Sequence, residues 1–91
     1  MTAPGYSIEF VKSARKDFER LPTQMRGKVT EALQLLAVNP YSELIRVKKM
    51  KGADSLYRVR VGDYRVVYEI RKRRLVVVVV KIGNRRDVYR R

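Results

Sequence analysis

Residues 56–91, LYRVRVGDYRVVYEIRKRRLVVVVVKIGNRRDVYRR, decide the fold. Leu56–Val61 alternates Tyr57, Val59 and Val61 with Arg58 and Arg60. Tyr64–Arg71 alternates Tyr64, Val66, Tyr68 and Ile70 with Arg65, Val67 and Glu69. A period of two is the mark of a strand with one buried and one open face. Gly62-Asp63 between them fits a two-residue hairpin turn, with glycine supplying a positive φ at its first central position. Residues 71–74, all basic, read as a second tight connection. Residues 75–82 are apolar on both faces and read as a central, doubly buried strand. Tyr57, Tyr64 and Tyr68 fall on the apolar side and are read as core; the arginines fall on the other, with Glu69 placed to orient one of them.

Working back toward the N-terminus, residues 6–10 (YSIEF) alternate like a first strand. Val11, Ala14, Phe18 and Leu21 then recur at helical spacing, with Lys12, Arg15, Lys16, Asp17, Glu19 and Arg20 on the other faces. Pro22 breaks that rod or opens the next helix. Met25, Val29, Ala32, Leu33 and Leu36 form a second apolar stripe that Asn39-Pro40 ends. A connection this short makes the two helices an antiparallel hairpin. Residues 41–54, with Lys48, Lys49, Lys51 and Gly52, read as a loop. The expected fold is α+β, in the order β-α-α-β-β-β: a helical hairpin on one face of a small, mainly antiparallel sheet, with arginines on the other. Residues 1–91 are expected to form one domain.

The charge balance is 22 Lys+Arg against 9 Asp+Glu, a net +13. Such a field attracts RNA, DNA or an acidic protein and repels a second copy, so no homodimer is expected on the basic face. The chain has neither cysteine nor histidine, which excludes disulfides, Cys-based zinc sites and Cys or His nucleophiles. Asp54, Asp63, Glu69 and Asp87 are dispersed, without metal-ligand spacing. No cofactor, signal peptide or membrane span is expected, and a cysteine-free small chain fits a reducing cytoplasm. The charges 71–74 and Lys81 flank the five valines as gatekeepers against aggregation.

Cutting RNA with the strand's own 2′-OH needs a proton acceptor, positive charge on the phosphorane and help for the departing 5′-oxygen. Here the available groups are cations and tyrosines. Arg58 and Arg60 lie two apart on one strand and point the same way, roughly 6–7 Å apart. Arg65 shares that face from the next strand, and Arg85 follows the apolar strand just after Gly83. Guanidinium forks suit a phosphate that gains charge in the transition state. Tyr89, the one hydroxyl of the tail, is either a base sharpened by surrounding cations or an aromatic that anchors the tail.

Lys49-Met50-Lys51-Gly52, LYRVRVGDYRVVYEI and GNRRDVY together resemble the RelE-like toxins of bacterial and archaeal toxin–antitoxin systems, and the N-terminal strand and hairpin fit as well. The resemblance implies a ribosome-dependent, metal-independent endoribonuclease that cuts mRNA in the ribosomal A site, leaving a 2′,3′-cyclic phosphate. It implies that Arg85 assists the leaving group, that Arg58 and Arg65 brace the phosphate, and that the Arg60 and Tyr89 positions act around the 2′-OH. Lys48, Lys49, Lys51 and Arg86 would help hold RNA or ribosome. The implied partners are mRNA, ribosomal RNA and a cognate antitoxin with an acidic or amphipathic segment, which occludes or distorts the basic face and links the toxin indirectly to operator DNA. Two departures stand out. Some members carry lysine where Arg60 stands, and arginine cannot act as a base; many carry histidine where Asn84 stands. Related ParE-like toxins share the fold and inhibit DNA gyrase without cutting RNA. A decayed, merely nucleic-acid-binding homologue is the third possibility.

Overall fold

The computed structural model describes residues 5–42, 46–50 and 56–84. The elements run β1 (Ser7–Phe10), α1 (Lys12–Glu19), α2 (Thr23–Val38), β2 (Lys48–Lys49), β3 (Leu56–Val61), β4 (Tyr64–Arg71) and β5 (Val76–Asn84). The sheet order is β1-β5-β4-β3-β2. Only β1 and β5 are parallel among the paired strands; the rest are antiparallel. The α+β architecture with both helices on one sheet face is therefore as the sequence implies.

The period-two reading sets the core. Val59, Val61, Val66, Tyr68, Ile70, Val77, Val79 and Ile82 are buried together with Ala14 and Leu21 of the α1 region and Val29, Ala32, Leu33 and Leu36 of α2. Each fully buried valine or leucine contributes about 1.5–3 kcal/mol relative to exposure. Tyr57 and Tyr64 are half-buried against this cluster. Gly62 has φ +59, the left-handed conformation the hairpin reading requires. A Cβ there would come within 3.0 Å of the Met25 Cε, so the turn also lies close against α2.

Three expectations are corrected. The segment 41–54 is not all loop: Lys48–Lys49 pairs with β3, Lys48 opposite Arg58 and Lys49 opposite Tyr57. The basic connection spans 72–75, with Leu75 in the turn at φ 53, and the apolar strand runs Val76–Asn84 instead of 75–82. That strand is second from one edge, while β4 is the middle one.

A phase change hidden in the valines explains how β5 serves both faces. Tyr68 lies opposite Val79 but Val67 lies opposite Lys81, so Val80 is an extra residue, a bulge. Before it, Val77 and Val79 point to the core; after it, Ile82 does. Without the bulge Lys81 would share the parity of Val79 and enter the core. Beyond Val79 the outer edge of β5 also loses β1, whose last pair is Phe10 with Val79. There the Ile82 N–H donates to Asp17 Oδ2 of α1 at 3.2 Å, which gives a strand-edge donor a carboxylate partner.

At the opposite end Tyr68 is fully buried, and its hydroxyl donates to the Pro40 carbonyl at 2.8 Å. Tyr57 stacks on it at 6.0 Å between centroids and Tyr41 meets Tyr57 edge-on at 5.6 Å. Burial, then the neighbouring phenols of Tyr57 and Tyr41, push the Tyr68 hydroxyl well above the usual tyrosine range. In the unfolded chain it ionises near ~10. Its contribution to stability is thus constant below about pH 10 and declines as the pH rises beyond that. Tyr68→Phe is expected to cost about 1–2 kcal/mol at neutral pH by stranding the buried Pro40 carbonyl. It is also expected to flatten the loss of stability above about pH 10. Urea melts of both proteins from pH 7 to 11 measure the two effects; equal slopes on the alkaline side would place the titration elsewhere.

Candidate nucleic-acid interface

The face of the sheet away from the helices carries the arginines because β3 and β4 are in register. Arg60 lies directly opposite Arg65, and Arg58 opposite Val67. On the far side of β4, Gly83 faces Arg65 and Lys81 faces Val67. On the near side Lys48 of β2 faces Arg58. The result is a cleft of about 150 Å³ lined by Arg46, Lys48, Arg58, Arg60 and Arg65. Among the described residues every lining side chain is a cation.

The members differ in how they are held. Arg65 is buried, 8% exposed, on the middle strand of the sheet. Arg58 is half-buried, and Arg46, Lys48 and Arg60 are exposed. The Arg60 Nε donates to the Gly62 carbonyl at 3.3 Å, tying that side chain to the hairpin turn. Arg46 has φ 57, a left-handed backbone that a non-glycine residue adopts at a cost. Like charges opposite one another across a sheet are unfavourable. A site that gathers five cations from β2, β3, β4 and one loop residue has the charge to accept a multiply charged anion, with Arg forks giving it bidentate geometry. Among the described residues no three His, Cys, Asp or Glu side chains are grouped to hold a metal ion.

Of the candidate residues read from the sequence, Arg58, Arg60, Arg65 and Lys48 converge here. Lys49 does not line the cleft; it lies opposite Tyr57, on the strand position that alternates away. Lys51, Arg85, Arg86 and Tyr89 lie outside the described residues. Asn84 ends β5 opposite Tyr64. Glu69 does orient an arginine: its carboxylate pairs with Arg71 at 3.0 Å. Arg46 was missed. Its signal was the alternation Arg46-Val47-Lys48, the same pattern as in β3 but only three residues long.

Residues 8–89 match the family model of the ParE toxin of the type II toxin–antitoxin system, parDE. RelE1 of Methanocaldococcus jannaschii is 33% identical over 86 residues, 93% of this chain and 96% of its own. The mRNA interferase toxin RelE of Escherichia coli K12 is 26% identical over 83 residues, 89% of this chain and 84% of its own. The crystal structure of the archaeal RelE–RelB complex from Pyrococcus horikoshii superposes with a TM-score of 0.76 at 30% identity, covering 88% of this chain and 94% of that one. No described helix is long and apolar enough to cross a membrane.

Arg60 and Arg65 are like charges directly opposite one another on paired strands, an arrangement that is unfavourable in general. At low ionic strength Arg60→Ala is expected to raise stability by roughly 0.2–1 kcal/mol, reduced by the lost contact to Gly62. The gain should vanish near 1 M salt, where screening acts within about 3 Å. Urea midpoints at low and high salt measure it, and a lower midpoint for the variant at low salt would mean that the two guanidiniums do not repel.

Proposed function

This chain is a RelE-like member of the ParE toxin family of type II toxin–antitoxin systems, and on that premise we propose that it is a metal-independent endoribonuclease that cuts mRNA on the ribosome. The observation that carries the proposal is the cleft whose described lining is five cations, Arg46, Lys48, Arg58, Arg60 and Arg65. Such a lining favours an RNA phosphate and opposes a divalent cation. The E. coli relative named an mRNA interferase toxin supports the same reading. In the cell the protein would act in the cytoplasm and be held in check by a cognate antitoxin; the Pyrococcus RelE structure is likewise a complex, with RelB.

In this proposal the 2′-OH attacks the adjacent phosphorus, the P–O5′ bond breaks, and the products carry a 2′,3′-cyclic phosphate and a 5′-OH. Arg58 and Arg65 brace the phosphate as it gains charge. The burial of Arg65 suits that role, since a group fixed in advance needs no reorganisation during the reaction. Arg60 cannot take a proton at neutral pH. Its part is to draw the 2′-oxygen's developing charge, leaving the base role to Tyr89 or to the RNA and ribosome. Arg85 assists the 5′-oxygen. Lys48 and Arg46 hold the flanking backbone.

A second reading, a toxin that inhibits DNA gyrase without cutting RNA, is favoured by the ParE description of the matching family. It leaves the converging arginines without a use.

Primer extension on a reporter mRNA held on translating ribosomes separates the two. Wild type is expected to cut within codons, and only with ribosomes present. Arg85→Ala and Tyr89→Phe should each lower the rate about 10²-fold or more, with Arg86→Ala much milder. Binding should weaken steeply with salt. Intact mRNA together with inhibited DNA supercoiling would establish the gyrase reading instead.

A further inference from the structure

The cleft sits toward the hairpin end of the sheet. The other end, about 23 Å away along the eight residues of β4 at ~3.3 Å per residue, carries a different surface. Leu35 and Val38 on the last turns of α2 are 46% and 79% exposed, Tyr41 is 38% exposed, and Leu75 in the β4–β5 turn is 43% exposed. Two successive backbone bonds draw them together. The Tyr6 N–H donates to the Ala37 carbonyl at 2.7 Å, and the Ser7 N–H donates to the Leu75 carbonyl at 2.8 Å. Lys72 Nζ lies 5.7 Å from the centre of the Tyr41 ring, so the basic turn borders the same patch. Lys72, Arg73 and Arg74 are all exposed.

Neither burial nor local backbone preference accounts for Leu75. It is exposed, and its φ of 53 is a conformation that costs an ordinary residue about 1–2 kcal/mol and glycine almost nothing. Backbone strain of this sort persists where something other than stability selects the side chain. Gatekeeping of the valine run explains the charges of the turn. It explains neither a leucine in that conformation nor the exposed Leu35 and Val38.

We propose that this end is a docking surface for an acidic, amphipathic helix of the cognate antitoxin, a proposal that rests on the toxin–antitoxin reading above. An apolar stripe would lie across Val38, Leu35 and Leu75, with flanking carboxylates against Lys72, Arg73 and Arg74. The one carboxylate on the α2 stripe, Glu31, is a turn farther along the helix from Leu35. A second copy of this chain would bring its own charge of +13 against Lys72, Arg73 and Arg74 and be repelled. RNA offers phosphates to the turn but nothing to three aliphatic side chains. The surface is separate from the cleft, so an antitoxin can grip the toxin here whether or not it also covers the arginines.

Leu75→Gly gives a test in which affinity and stability move in opposite directions. The antitoxin encoded beside this chain is purified and titrated calorimetrically against the full-length toxin and its variants. Leu75→Gly and Val38→Glu are each expected to weaken binding about tenfold or more, the scale of an anchoring interface side chain. The urea midpoint of free Leu75→Gly should equal or exceed that of wild type. Arg20→Ala, a cation that sits with Tyr64 and Gly83 at the hairpin end of the sheet, should bind within about twofold, a change the scale of surface charge permits. Wild-type affinity in both patch variants overturns the proposal and leaves the toxin reading standing, whereas failure of wild type to bind overturns both. Loss of binding to phosphatidylglycerol vesicles or to RNA in these variants, with antitoxin affinity unchanged, also overturns it, because the patch then serves another class of partner.

Discussion

Alternation along β3 and β4 is the constraint on which this molecule depends. A chain with 22 cationic side chains can fold only if the sheet sends its charge and its apolar groups to opposite sides. Tyr57, Val59 and Val61 alternate with Arg58 and Arg60, and the register with β4 then sets Arg60 against Arg65. A slip of one residue would put guanidiniums under the helices. The apolar face supplies the folding energy that the charged face draws upon, and the Met25–Gly62 approach and the Tyr68–Pro40 bond hold the two ends of β4 in place.

Much of this was legible in the sequence because alternation is a strong signal when it runs six to eight residues. Both hairpin strands have the limits read from their patterns, Leu56–Val61 and Tyr64–Arg71, and the turn glycine has the sign of φ expected of it. Short signals failed. β2 is two residues long, and Arg46-Val47-Lys48 could not be told from loop, so one wall of the cleft was only partly foreseen. The run of valines carried no phase at all. A side-chain pattern cannot reveal a bulge when every residue around it is valine, and only pairing shows that Val80 is the extra one. The convergence of Arg58, Arg60 and Arg65 followed from strand geometry, whereas the separation of Lys49 from Lys48 required knowing which residues pair with β3.

The molecule has two chemically distinct ends. Toward the hairpin, cations gather from three strands and a loop, and the Asp17 carboxylate closes the edge of β5. At the other, aromatic stacking fixes the core while aliphatic side chains stand in solvent beside a run of charge. The first is suited to a phosphate backbone and the second to a helical segment of protein. Both follow from the same sheet, whose strands are long enough to keep the two apart.

The opposed guanidiniums of Arg60 and Arg65 have one more consequence. Repulsion carried by the empty protein is relieved whenever an anion enters between them, so occupancy of the cleft and global stability are thermodynamically linked. The unliganded toxin is then the form most open to cellular proteases, and RNA or an acidic partner protects it in proportion to how completely it neutralises that pair. On the proposed function, the two charges that grip a phosphate also set in part the lifetime of the free protein in a cell, and with it the dose of toxin that escapes control.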